Sequence, residues 1–145
     1  MRTLVLGLGN PILGDDGVGL QVAAMVRARL PKGSHVEVDV DYWGGLRLME
    51  RLVGYDRAII VDAICVDDHP VGSILQLRPD DMPTQRSASA HDVNLPTALN
   101  LAARLGLRVP HDITILAIVA HDVFDFREDL SPAVAAAVPV AVDAI

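Results

Sequence analysis

The chain is poor in cysteine and in aromatic side chains: Cys65 is its one cysteine, and aromatics make up 3% of the residues. A single cysteine excludes an internal disulfide and fits a reducing compartment. Lysine is almost missing as well, since Lys32 stands alone. The formal net charge is −7, the wrong sign for a chain that grips nucleic acid through its phosphates. No HExxH, CxxC or GxSxG motif occurs, which removes three readily recognised catalytic or metal-binding signatures. The apolar run from Ile113 to Ala120 is strand-sized, far short of the roughly 20 residues that a membrane helix needs. The N-terminus leads straight into Leu4-Val5-Leu6, without the basic region and longer apolar core of a signal peptide. The expectation is a cytoplasmic monomer that binds neither membrane nor nucleic acid. Its 145 residues, half of them apolar, suit one domain spanning 1–145 with a substantial core.

What the chain does have is a glycine-rich turn. Gly7-Leu8-Gly9-Asn10-Pro11-Ile12-Leu13-Gly14-Asp15-Asp16-Gly17-Val18-Gly19 follows an apolar run that reads as a buried strand. Val18, Val22, Val26 and Leu30 then recur at helical spacing, so the stretch turns from the C-terminal end of a strand into a helix. In open α/β sheets ligands bind at that edge. Two acids at a helix start also suit the helix dipole and capping, so alone they do not choose between a structural and a chemical role. A dinucleotide fingerprint is excluded because Ile12 stands where the third glycine belongs. A receiver domain fits the separation of Asp16 and Asp62, but Lys32 follows the first helix and lies at the wrong end of the sheet. Gly-Leu-Gly-Asn-Pro resembles the opening of the peptidyl-tRNA hydrolases, yet Asp15-Asp16-Gly17 replaces the catalytic surroundings expected there.

Taken in order, the pattern predicts a strand at Thr3–Leu8, a helix from Asp16 to Leu30 and a strand at His35–Val40. A turn at Asp41-Tyr42-Trp43-Gly44-Gly45 leads to a short helix around Leu46–Val53, closed by Gly54. Ala58–Val61 reads as a buried strand ending in Asp62, and Val71–Leu77 as a fourth strand. Residues 79–90 read as an exposed loop, long enough to suggest a role. Leu95–Leu105 is a helix, Ile113–Val119 a fifth strand, and Ser131-Pro132 opens a last helix. Pro139 should kink or break that helix. Strands alternating with helices imply an α/β fold, a three-layer α/β/α sandwich of phosphorylase/hydrolase-like type. Its five-stranded sheet is mostly parallel. The fourth strand is expected to be antiparallel, because its link to the third is too short for a crossover helix.

In such a sheet Asp16, Asp62 and His91 come to one rim. Two carboxylates and an imidazole fit Ni²⁺, Zn²⁺, Fe²⁺ or Mn²⁺ and leave a coordination position open, as catalytic sites do. Each residue also has an ordinary reading: a strand-end Asp caps a neighbouring helix, and a loop His is a solvated surface group. The residues themselves stop at a metal or hydrolytic site. Cys65, just past Asp62, reads as a small buried hydrophobe or a thiolate approaching the metal, and His121 as a surface group or an addition to the rim.

Three ordered motifs carry a resemblance to a known family. They are Gly7-x-Gly9-Asn10 with Asp15-Asp16-Gly17-x-Gly19, Ile59-Ile60-Val61-Asp62-Ala63, and Ser89-x-His91-x-x-x-Leu95. Together with Leu130-Ser131-Pro132 and its Ala/Val helix, they look like the hydrogenase maturation endopeptidases. The resemblance implies removal of a C-terminal tail from the large-subunit precursor of a nickel–iron hydrogenase after nickel insertion. It implies that Asp16, Asp62 and His91 are the catalytic and metal-contacting residues, with the nickel supplied by the substrate and other divalent metals able to occupy the site. Asp41, Trp43 and Gly44 are expected to bind the precursor. The chain departs from the family after the fifth strand, where Ala120-His121-Asp122 replaces the expected Gly/Pro-containing end. A metallohydrolase with its own metal and a non-catalytic module that binds nickel-loaded precursor are the competing functions.

Overall fold

The computed structural model describes residues 2–10, 14–41, 46–66, 68–79, 95–120 and 130–145. They form β1 (Thr3–Leu8), α1 (Val18–Arg29), β2 (Val36–Asp41), α2 (Leu46–Leu52), β3 (Arg57–Ile64), β4 (Ile74–Leu77), α3 (Leu95–Arg104), β5 (Asp112–Val119) and α4 (Pro132–Ala144). The strands make one five-stranded sheet in the order β2-β1-β3-β5-β4. β1 pairs in parallel with β2 and β3, and β3 with β5, while β4 runs antiparallel to β5. The short link after β3 therefore reverses the chain as expected. It does not make a hairpin, because β5 inserts between β3 and β4.

Side chains alternate across the strands and divide the core in two. Val5 and Val61 face α1 and α4, meeting Val18, Val22, Val134 and Val138. Leu4, Leu6, Leu8 and Ile60 face the opposite layer, where Leu52 of α2 packs. Met49 of α2 and Ala102 of α3 join the two helices of that layer. No helix among the described residues is long and apolar enough to cross a membrane.

Glycines let α1 lie directly on the strands. A β-carbon at Gly19 would strike the carbonyl oxygens of Val61 and Leu8, and one at Gly7 would strike that of Gly19. Substitution at either position would push the helix off β1 and β3. The sheet's C-terminal rim and the start of α1 are thereby locked together.

Four expectations change. A four-residue 3-10 turn, Gly14–Gly17, precedes α1, so Asp16 lies before the helix, not at its first position. β3 runs past Asp62 to Ile64 because Ala63 and Ile64 pair with Ile118 and Val119. β4 starts only at Ile74, since Val71-Gly72 is a turn in which Gly72 has φ +93°. Finally, α4 runs through Pro139. Both Pro139 and Ala135, whose carbonyl loses its helical partner, are exposed, so water can satisfy the freed oxygen.

Candidate functional site

The buried charged side chains among the described residues are all aspartates: Asp15, Asp16, Asp41 and Asp62, each at most 5% exposed. All four stand at the C-terminal rim of the sheet. Asp41 ends β2, Asp62 lies near the end of β3, and Asp15 and Asp16 occupy the 3-10 turn beyond β1. Pairing of Gly7 with Val61 and of Leu8 with Asp41 sets these strand ends side by side. The 3-10 turn packs against β3. Burying carboxylates costs free energy unless donors or cations compensate, so a cluster of them at a ligand-binding edge calls for a chemical explanation.

Each carboxylate has its own support. Asp16 Oδ2 accepts the Asn10 backbone N–H at 2.9 Å, tying the turn back to the end of β1. Asp62 Oδ1 accepts the Ala63 N–H at 2.8 Å. Asp15 accepts the Ser131 backbone N–H at 2.6 Å on Oδ1 and the Ser131 hydroxyl at 2.8 Å on Oδ2. Asp41 lies 3.5 Å from the Arg51 guanidinium, which also pairs with Asp39. Its backbone carbonyl accepts the Gly9 N–H at 3.2 Å, which joins the rim of β2 to the glycine turn.

The N-cap position of α1 is Gly17, and both acids lie in the turn before it. The structure brings Asp16 and Asp62 to one rim, as the parallel-sheet argument requires. His91, Trp43, Gly44, His121 and nearly all of the 79–90 loop lie outside the described residues. Among the described residues no three His, Cys, Asp or Glu side chains are grouped to hold a metal. His91, expected to complete a three-ligand set with Asp16 and Asp62, lies outside the described residues. Cys65 is half-buried and packs against the α1/α4 core. Sequence reasoning missed the tie between Asp15 and Ser131. Ser131 was legible only as the cap of its own helix, and no local signal points across the 116 positions that separate the two residues.

This geometry can be set beside known proteins. The hydrogenase maturation protease family matches residues 43–145. The hydrogenase 2 maturation protease of Escherichia coli is 28% identical over 121 residues, covering 82% of this chain and 73% of that protein. The structure of the hydrogenase maturating endopeptidase HybD from E. coli superposes with a TM-score of 0.85 at 26% identity, over 99% of this chain and 89% of that one. The [NiFe] hydrogenase maturation protease HybD from Thermococcus kodakarensis gives a TM-score of 0.72 at 30% identity, over 99% and 96% of the two chains. The chain thus shares its whole fold with endopeptidases and most of its length with their family pattern, and it belongs to the hydrogenase maturation proteases.

Proposed function

We propose that this endopeptidase removes the C-terminal tail of a nickel–iron hydrogenase large-subunit precursor, and that it reads the inserted nickel before it cuts. The observation that carries the reading is the buried carboxylate rim, where Asp16 and Asp62 are fixed by backbone N–H groups at the ligand-binding edge. Carboxylates held this way suit a divalent cation that arrives with the substrate. Nickel bound by the precursor's cysteines meets Asp16, Asp62 and His91, and this contact places the scissile bond. A precursor without nickel lacks the anchor and stays uncut. Hydrolysis adds water to the peptide carbonyl carbon, breaks the C–N bond and delivers a proton to the leaving amine. The metal activates the carbonyl or the water, or a rim carboxylate takes the water's proton. Asp41, Trp43 and Gly44 are assigned to holding the precursor. The protein works on this reading as a cytoplasmic monomer.

The test treats the enzyme with a chelator, removes the chelator, and then supplies nickel-loaded or nickel-free precursor. The expected result is cutting of loaded precursor alone, without metal being returned to the enzyme. A treated enzyme that stays inactive until metal is returned to it would instead be a metallohydrolase with its own ion. Binding of loaded precursor with no cleavage would identify a recognition module.

A further inference from the structure

We propose that Asp15 and Ser131 form a clamp that positions Asp16 for the metal, so that Asp15 is a positioning residue and does not touch the metal itself. The inference rests on the reading that Asp16 contacts the substrate's nickel. Three observations carry it. Asp15 is 0% exposed, and both its oxygens are engaged by Ser131, one by the backbone N–H at 2.6 Å and one by the hydroxyl at 2.8 Å. Its carboxylate is therefore turned toward the start of α4. Ser131, although it stands at the N-cap of α4, makes no side-chain bond to its own helix. A serine in that place ordinarily caps the helix, which is worth about 1 kcal/mol. Here the hydroxyl serves the carboxylate instead. Finally, Asp15 and Asp16 are consecutive in a 3-10 turn of only four residues that begins and ends in glycine.

The last point gives the clamp its purpose. A 3-10 turn has about three residues per turn, so neighbouring side chains diverge by roughly 120°. Fixing the direction of Asp15 fixes that of Asp16. So short a turn has little stability of its own, and its glycines do not restrain it. The Asn10 N–H on Asp16 Oδ2 is one of the contacts that hold it, and the turn also packs on β3. The clamp adds a tie to α4, a helix that itself packs on α1. With these in place the turn cannot rotate about its length, and Asp16 meets the incoming metal already oriented.

The experiment uses the purified full chain and two readouts. One is calorimetric binding of Ni²⁺ alone; the other is kcat and KM for nickel-loaded precursor. Asp15→Ala and Ser131→Ala should each weaken Ni²⁺ binding and lower kcat by about 10-fold or more, the usual cost of removing a group that orients a ligand, with KM for precursor little changed. Ser131→Thr, which keeps the hydroxyl, and Asp15→Asn, which keeps an acceptor for the Ser131 N–H, should restore most of both. If Asp15→Ala does not fold, Ser131→Ala decides, because it leaves the backbone bond in place. Folded Ser131→Ala with wild-type Ni²⁺ binding and kcat would overturn the clamp. So would folded Asp15→Asn as inactive as Asp15→Ala, which would mean that the charge itself takes part. Asp16→Ala separates the two levels. If it too binds Ni²⁺ and cuts normally, the metal-contact reading fails; if it alone loses both, only the clamp does.

Discussion

The two ends of the sheet hold most of their acids differently; Asp41, 3.5 Å from the Arg51 guanidinium, is the exception at the C-terminal rim. At the N-terminal end they are paired with arginines near water. Asp112 takes Arg57 and Arg78, both at 3.1 Å, and Glu37 takes Arg2 at 3.0 Å. Asp56 takes the Arg2 backbone N–H at 2.9 Å and the Arg108 guanidinium. At the C-terminal end Asp15, Asp16 and Asp62 are buried, and the bonds described above come from backbone N–H groups and a hydroxyl. An arginine cancels a carboxylate's charge; an N–H orients it and leaves the charge in place. The first arrangement pairs charge with charge at the surface, while the second orients buried carboxylates at the rim. β3 contains both, with Arg57 at one end and Asp62 near the other.

That contrast within one strand gives the largest expected effect. Asp62→Asn keeps an acceptor for the Ala63 N–H and removes the charge, so it should abolish precursor processing with little change in melting temperature. Arg57→Ala breaks an exposed pair worth about 0.2–1 kcal/mol and should leave processing intact. A processing assay with both variants checks the pair; equal losses would erase the distinction between the two ends.

Next in size is the seam that joins the rim to α1. Gly19→Ala places a β-carbon against the Val61 and Leu8 carbonyl oxygens, and overpacking of this kind costs about 1–3 kcal/mol. Urea unfolding should register that loss, with processing falling in parallel because the turn carrying Asp16 shifts with the helix.

The smallest effect is the acid response of the lower end. The Arg2 backbone N–H, followed by the Arg108 guanidinium, holds Asp56 below its ordinary value of 3.8. The Tyr55 hydroxyl, followed by Arg2, does the same for Glu37 relative to 4.5. Both pKa values are lower in the folded state, so their stabilisation is present above the unfolded values and is lost as pH falls through the folded ones. Asp56→Asn should flatten the decline in stability between about pH 5 and pH 3, as measured by unfolding at each pH. An unchanged slope would detach these pairs from acid stability.

Much of the fold was legible because its signals are local. Leu4-Val5-Leu6 and Ile113–Val119 announce buried strands, the short link before Val71 announces the reversal, and Asp16 and Asp62 follow from strand ends in a parallel sheet. What escaped depends on distant partners. Gly7 and Gly19 read as glycines that allow close approach, but that the approach is between α1 and the backbone of β1 and β3 depends on residues remote in sequence. Asp62 seemed to end its strand because β5, which pairs with the two residues beyond it, is remote in sequence. Pro139 was judged by local rules, and exposure of the freed carbonyl overrode them. Trp43, Gly44 and His91 lie outside the described residues, so the rim is defined here by its acids.

The bond between Asp15 and Ser131 has a consequence for synthesis. Chains emerge N-terminus first and domains fold largely as units. The acid turn appears early, while the serine that secures it is made after β5 and just before α4. A ribosome-bound fragment ending before Ser131 lacks the tie, and closing so long a loop comes late because its entropy must be offset by contacts formed first. On the clamp reading, the turn that carries Asp16 gains its tie to the start of α4 only once Ser131 has been made, so Asp16 is oriented late although it is made early.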